Sequence, residues 1–446
     1  MSGKGNKGKG ISRRTFLKTA AGTAASFALF SGGFKAWSQS TAKVGFLAPL
    51  GMEEGNLAQQ GASLGASLIN KSHKGIALDA AGWTGIPGLG GSSLEVAFAD
   101  HEGDPKKAVS LVEEMKSAGA AAVIGAIDDY VMAEASAAAA EVGLPFLDAT
   151  SIDPYLTRRG LDGYFRMNAH NLFATQLFFN MAKQYNVDQE DFLFVTESKP
   201  GVEEDIEIMK AHTDRLGYNL QSLVLDAVSE EEVTEAANSI MASEPDAIIL
   251  DLTPEWIAAT IEGLTEMEED ARPSAVLVDQ YTRMKDDLTE LLSEDVRQGF
   301  SWSFINVPFI PLSPEASGPG PAVDQLFQDE YGEKLSAPAA LALEGVHTCA
   351  RLLNQAESTE SADIIEVASE FEAITEEMVI PWRGIDFSSV ENFGDQGQNI
   401  MALPIVARLD EEGEYEIAGG GGVGPLGFTL KIGNFLGCKN TICLYL

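Results

Sequence analysis

The chain has 446 residues, 45% of them hydrophobic, which is enough for a large core and for two or three domains. Its 67 acidic residues face 30 basic ones, a formal net charge of −37 that repels phosphate backbones and anionic membranes and so argues against a nucleic-acid partner. With five His, three Cys, no Cys-x-x-Cys and no His within ligand spacing of the two C-terminal cysteines, there is little from which to build a metal centre.

The first 38 residues hold seven Lys or Arg and no acid. Ser12-Arg13-Arg14-Thr15-Phe16-Leu17-Lys18 leads into a mildly apolar run over 19–33, too short to span a membrane, and small residues (Ala36, Ser38) follow. This is the pattern of an export signal, and the paired arginines favour the twin-arginine route; residues 1–38 are expected to be removed by cleavage near Ser38. What remains has 23 basic residues against 67 acidic ones, a formal charge of −44, with the acids spread from Glu53 to Glu416 rather than blocked. Such a surface suits high salt, where screening shortens the reach of self-repulsion, so a halophilic source is expected.

Lys43-Val44-Gly45-Phe46-Leu47-Ala48-Pro49 is a short apolar run of the kind found in buried parallel strands. Leu57, Gly61, Leu64, Gly65 and Leu68 follow at helical spacing. A Gly-rich insert over 82–91 leads to an alternating strand over 94–100. Asp104 then predicts an N-cap and Pro105 a first helical position, with Ala108, Leu111, Val112 and Met115 as the buried stripe. Residues 121–125 read as the next strand, the Ala-rich run from Met132 as its helix, and 144–147 as the strand after. Four strands alternating with three helices indicate a parallel α/β sheet.

The pattern then restarts, with strands expected over 192–195, 220–225, 247–250 and 275–278 and helices over 202–216, 231–242 and 254–264, Pro254 again at a first helical turn. Two α/β runs of similar size without a sequence repeat imply two lobes. Residues 299–304 read as strand, the Pro/Ser/Gly stretch to Pro321 as loop, and 322–331, 339–353 and 362–371 as helices; β-structure is expected over 382–387, 401–409 and 415–417. Cys349 is expected as a buried thiol. Gly419-Gly420-Gly421-Gly422 reads as a flexible linker to an apolar tail, where an oxidising compartment permits a local disulfide between Cys438 and Cys443.

No Gly-x-Ser-x-Gly elbow, Walker phosphate loop or His-Glu-x-x-His is present. Gly419, Gly421 and Gly424 match a dinucleotide fingerprint by letter, but Pro425 and Gly427 stand where its helix must open. Asp128-Asp129 is a pair suited to acid–base work, yet such pairs arise by chance among 67 acids, and either residue equally suits a helix cap. No activated nucleophile can be assembled, so neither an enzyme nor a cofactor is expected. In open parallel sheets, ligands bind beyond the carboxyl ends of the strands. Those ends are 50–53, 101–102, 127–130, 149–152, 197–199, 251–256 and 279–281, rich in hydroxyls, carboxylates and aromatics.

KVGFLAPLG (43–51), VAFADHEGDPKKAVSLVEEM (96–115), AAVIGA (121–126), LPFLDATSIDPYLTRRG (144–160), GYFRMNAH (163–170), EPDAIILDLTPE (244–255) and IPWRGIDFSSVENFGDQGQN (380–399), in this order, resemble the branched-chain amino-acid (Leu/Ile/Val-binding-like) type of periplasmic solute-binding protein over residues 43–417. The resemblance implies an α/β, two-lobed type I periplasmic binding fold, each lobe a parallel sheet flanked by helices, with three hinge crossings near 166–171, 300–305 and 379–384. Lobe 1 is then 41–168 with 303–380, lobe 2 is 169–302 with 381–418, and 419–446 is linker and tail. It implies a monomeric, periplasmic or cell-surface protein that captures a small polar solute and delivers it to the membrane permease subunits of an ABC importer. A sensory module that reports the ligand to a receptor is the rival reading.

Members of that family hold an amino-acid carboxylate with hydroxyls and backbone N–H groups from the loop after the third strand and from an Ala-Thr-like turn. A lobe-two carboxylate meets the ammonium, and aromatics cover the ligand. Carried over by position these are Asp128, Asp129 and Tyr130, then Thr150, Ser151 and Ile152, then Asp279, with Glu197, Thr253 and Tyr281 at the facing strand ends. The chain departs from the pattern: Asp128-Asp129 replaces a Ser pair, Pro200 an aromatic and Thr253 a Tyr. Acids at 128 and 129 repel a ligand carboxylate, so an amide, a polyol, an osmolyte or a cation fits the polarity at least as well.

Overall fold

A computed structural model describes residues 41–73, 75–125, 127–184, 190–226, 238–239, 242–252, 254–265, 273, 275–278, 302–307, 318–374, 377–380, 382–387, 396–402, 404–409 and 415–420. The expected export signal, the C-terminal cysteines, Thr253, Asp279 and Tyr281 lie outside these residues.

The apolar runs become two sheets. β1 (Thr41–Ala48), β2 (Ser93–Asp100), β3 (Ala122–Gly125), β4 (Phe146–Asp148) and β5 (Tyr164–Arg166) form a parallel sheet in the order β2-β1-β3-β4-β5. β1 lies inside it, and Val44, Phe46, Leu47 and Ala48 are all buried, as a strand covered on both faces requires. β2, at the edge, buries Leu94, Ala97 and Ala99 and leaves its other positions partly or fully exposed. β5, three residues long, is a fifth strand beyond the four expected.

α1 (Glu53–Asn70), α2 (Pro105–Ser117) and α3 (Asp129–Glu141) connect the strands. Asp104 caps α2 through the amides of Lys106 and Lys107, with Pro105 at the first position, as the sequence predicts. Later in the chain, α7 (Gly320–Tyr331), α8 (Ala337–Ala356) and α9 (Ser361–Ser369) return to this lobe. α8 is buried on nearly all sides between α1 and the strands β3 and β4, and Cys349 sits within it as a free buried thiol pushed up to about 12 by burial.

Gly61 and Gly65 let α1 and α8 approach closely: a Cβ at Gly61 would collide with the Ala339 main chain, and one at Gly65 would press on Val346. Gly61→Ala should therefore cost about 2–3 kcal/mol by overpacking, read as a lowered urea midpoint at unchanged slope. Gly82→Ala, where a Cβ meets nothing within 4 Å, is the matched control and should be near neutral.

In the second sheet, β6 (Asp191–Glu197), β7 (Asn219–Leu225), β8 (Ala247–Asp251), β9 (Ala275–Val278) and β10 (Trp302–Val307) are parallel. Antiparallel β13 (Ile405–Leu409) and β14 (Tyr415–Gly420) extend it, giving β14-β13-β10-β9-β8-β6-β7. Gly419 and Gly420, read above as the start of a linker, pair with Val406 and Ile405 as the end of β14. α4 (Asn171–Gln184), α5 (Val202–Leu216) and α6 (Pro254–Thr265) belong to this half, and a short ribbon of β11 (Glu372–Ile374) and β12 (Gly384–Asp386) stands apart.

The main chain passes between the sheets three times. The first passage follows β5, as expected at 166–171, and the second follows Val307, since β10 runs on through 302–307. The third comes later than 379–384. Val379, Ile380, Trp382, Ile385, Phe387 and Ala402 all pack in the first core, and only from Ile405 does the chain join the second sheet. Residues 382–387 and 396–402 are held back because Asn399 donates to the Met167 and Gly384 carbonyls and Gln398 to the Asn168 carbonyl, anchoring the returning segment to the end of β5.

Candidate ligand-binding site

A polar lattice joins the C-terminal ends of β3 and β4. Asp148, buried at the end of β4, accepts on Oδ1 from the amides of Thr150 (3.3 Å) and Ser151 (3.0 Å) and on Oδ2 from the Tyr164 hydroxyl (2.9 Å). Thr150 Oγ1 accepts in turn from the Ile127 amide at 2.6 Å. Ile127 and Asp128 both have positive φ, 69° and 75°, a region that side-chain-bearing residues enter only when held there. The Thr150 bond is one restraint. The other is Asp128, which caps α3 by accepting from the amides of Tyr130 (3.1 Å) and Val131 (3.2 Å).

Asp129 is half-buried at the first position of α3 and reaches the neighbouring loop. Its Oδ2 accepts from the amides of Ile152 (3.2 Å) and Asp153 (2.8 Å). Burial, with the carboxylates of Asp153 and Asp148 nearby, pushes the Asp129 carboxyl up to about 7 against the opposing pull of those two amides.

The facing side comes from the strand ends of the second sheet. Asp251, buried at the end of β8, accepts from the Thr196 hydroxyl (2.9 Å), from Lys199 Nζ (2.9 Å) and, on its other oxygen, from Asn171 Nδ2 (3.1 Å). Lys199 Nζ also stands 3.6 Å from Asp153 Oδ2, so one ammonium links the two halves. Burial disfavours its charge, but Asp251 and Asp153 outweigh that and hold the amine above its ordinary pKa. Arg158 makes a second tie, with Nη1 2.7 Å from Asp205 Oδ1 on α5, both side chains buried. Burial pushes Asp205 up to about 6, Arg158 opposing. Asn171 completes the junction by donating its amide to the Ile152 carbonyl at 3.0 Å.

Of the residues expected at the site, Asp128, Asp129, Thr150, Ser151 and Ile152 are brought together by these bonds. Tyr130 is 71% exposed, and Glu197 ends β6 beside Leu225. Asp148, Asp153, Arg158, Asn171, Lys199, Asp205 and Asp251 were not singled out individually, although Lys199 and Asp251 fall on the list of strand ends that the sequence supplies. Among the described residues no group of three or more His, Cys, Asp or Glu is placed to hold a metal, and no helix is long and apolar enough to cross a membrane.

A family model of periplasmic binding proteins matches residues 41–406, which takes in the first sheet and strands β6–β10 of the second. The chain belongs to that family. As a periplasmic binding protein it is similar to the Leu/Ile/Val-binding protein homolog 3 of Brucella melitensis, 29% identical over 137 residues; these are 30% of this chain, and the chain spans 33% of that relative's length. Its fold is similar to that of the leucine binding protein of Thermotoga maritima, with a TM-score of 0.65 at 15% identity, covering 86% of this chain and 99% of the other. It is also similar to the branched-chain amino acid transporter substrate binding protein of Streptococcus pneumoniae, solved with isoleucine, with a TM-score of 0.62 at 18% identity, covering 84% and 98%. The expected type I fold is thereby shown, in a chain that belongs to a family of periplasmic binding proteins.

Proposed function

We propose that this protein captures a small polar solute between its two sheets and delivers it to membrane permease subunits, leaving the solute chemically unchanged. The observation that carries this reading is the convergence of strand ends from both sheets on one junction, where the turn after β4 meets β6 and β8 through Asp153, Lys199, Asp251 and Asn171. The three passages near 166–171, after Val307 and over 402–405 would serve as the hinge, and ligand would shift an open population towards a closed one. Thr150, Ser151, Ile152 and Asp129 contribute the first wall in this reading. Glu197, Thr253, Asp279 and Tyr281 contribute the second by resemblance. The basic N-terminal segment with Arg13-Arg14 supports export by the twin-arginine route, and the acidic composition supports a high-salt setting.

The test is a thermal melt of the chain from residue 41 in high salt against amino acids, amides, polyols and polyamines. A ligand at about 100 times its dissociation constant stabilises the folded state by about 2.7 kcal/mol, and the cognate solute should produce a shift of that order. A molecule that shifts the melt and is recovered unchanged supports the reading. Turnover of that molecule, or no shift with any member of the panel, overturns it.

A further inference from the structure

The turn after β4 presents four consecutive amides, those of Thr150, Ser151, Ile152 and Asp153, and the chain's own carboxylates already occupy all of them. Asp148 takes the first two and Asp129 the second two. A ligand carboxylate arriving there would have to displace Asp129 while standing beside Asp148 and Asp153. Two polar atoms that the junction leaves over beside the Ile152 peptide are neutral. Ser151 Oγ is fully buried and has no hydrogen-bond partner among the described residues. The same holds for Asn171 Oδ1, on a residue only 3% exposed; since the Asp251 carboxylate can only accept, Asn171 Nδ2 faces it and Oδ1 is the spare atom. Both residues adjoin the Ile152 peptide, Ser151 in sequence and Asn171 by donating its amide to the Ile152 carbonyl. A hydroxyl and an amide oxygen suit a carboxamide or alcohol, which can both donate and accept.

Resting on the binding-protein reading above, we infer that Asp129 determines specificity by acting as a built-in carboxylate on the turn amides. The site therefore takes a ligand whose end there is a neutral carboxamide or hydroxyl rather than a carboxylate. The leucine and isoleucine of the two similar structures' names carry a carboxylate. A serine or alanine at position 129 would leave the Ile152 and Asp153 amides free for one.

The experiment measures dissociation constants for matched pairs, L-isoleucinamide against L-isoleucine and benzamide against benzoate, by calorimetry in high salt at about pH 8.5, where Asp129 is ionised. The wild-type protein should bind each amide at least tenfold tighter than its acid, and Asp129→Ala should move both ratios at least tenfold towards the acid. Asp129→Asn keeps an acceptor for both amides and removes only the charge. It should move the ratios the same way by a smaller factor, and it serves if the alanine variant does not fold. A wild-type preference for the acids, or unchanged ratios in variants with native circular dichroism, overturns the inference and leaves the binding-protein reading standing. No binding of any of the four probes to any of the proteins overturns both.

Discussion

Arg166→Met should cost about 3–5 kcal/mol of folding stability, seen as a large drop in urea midpoint. The guanidinium is fully buried at the end of β5, where the chain leaves the first sheet. Nε donates to Gln398 Oε1 at 2.6 Å, Nη2 to Thr157 Oγ1 at 3.1 Å, and Nη1 to the Asp153 carbonyl. It thus ties β5, the turn carrying the candidate site, and the segment returning from the ribbon to the second sheet. Methionine fills comparable volume but donates nothing, so three buried acceptors lose their partner. Arg166→Lys, with one compact ammonium in place of a planar fork, should recover only part of the loss. Hydrogen exchange separates this role from generic core damage. Asn399 Oδ1 accepts from the amides of Asp386 and Met401, and those two amides should lose protection in Arg166→Met before α1 does. Uniform loss of protection across the first sheet would show that Arg166 acts on the whole core instead.

Glu344→Ala is expected to be comparably costly, about 3–5 kcal/mol, and for a related reason. Glu344 lies in the middle of α8 without solvent exposure. Its Oε2 accepts from the amides of Val379 (2.7 Å) and Ile380 (3.3 Å), and Oε1 lies 3.0 Å from His347 Nδ1. Those two amides belong to an irregular stretch leading to Trp382, so the carboxylate stands in for a missing strand or helix partner. Alanine strands both amides and opens a cavity; glutamine keeps an acceptor for them and should cost only about 1–2 kcal/mol. Equal melts for the Ala and Gln variants would show that volume rather than hydrogen bonding decides the effect.

The strands and helices were legible wherever a local signal carried them. Buried runs such as Val44-Gly45-Phe46-Leu47 and Ile248-Ile249-Leu250 are apolar because both faces of a parallel sheet are covered, and Asp104-Pro105 marks a helix start because a cap and a fixed φ act within one turn. β5 was missed as a strand because three residues are too few for a period to show. The last two residues of β14 were misread because Gly419 and Gly420 carry no side chains to signal that β13 would pair with them. The site divides in the same way. Asp128, Asp129, Thr150 and Ser151 were nameable because they directly follow strands whose ends must converge. That Asp129 turns away from its own helix to hold amides 23 and 24 positions later was not, and neither was the meeting of Lys199 with an aspartate 52 residues on.

By itself the sequence determined the α/β class, the order of the elements, the acidic surface and the family resemblance, because hydrophobic period, capping residues, charge and short motifs are all local. Only the tertiary structure decided where the third passage between the sheets falls, which aspartate caps α3, and that the turn amides are filled from within. Each of those depends on pairing polar groups far apart in the chain once water is excluded, and no local pattern records which distant partner will satisfy them.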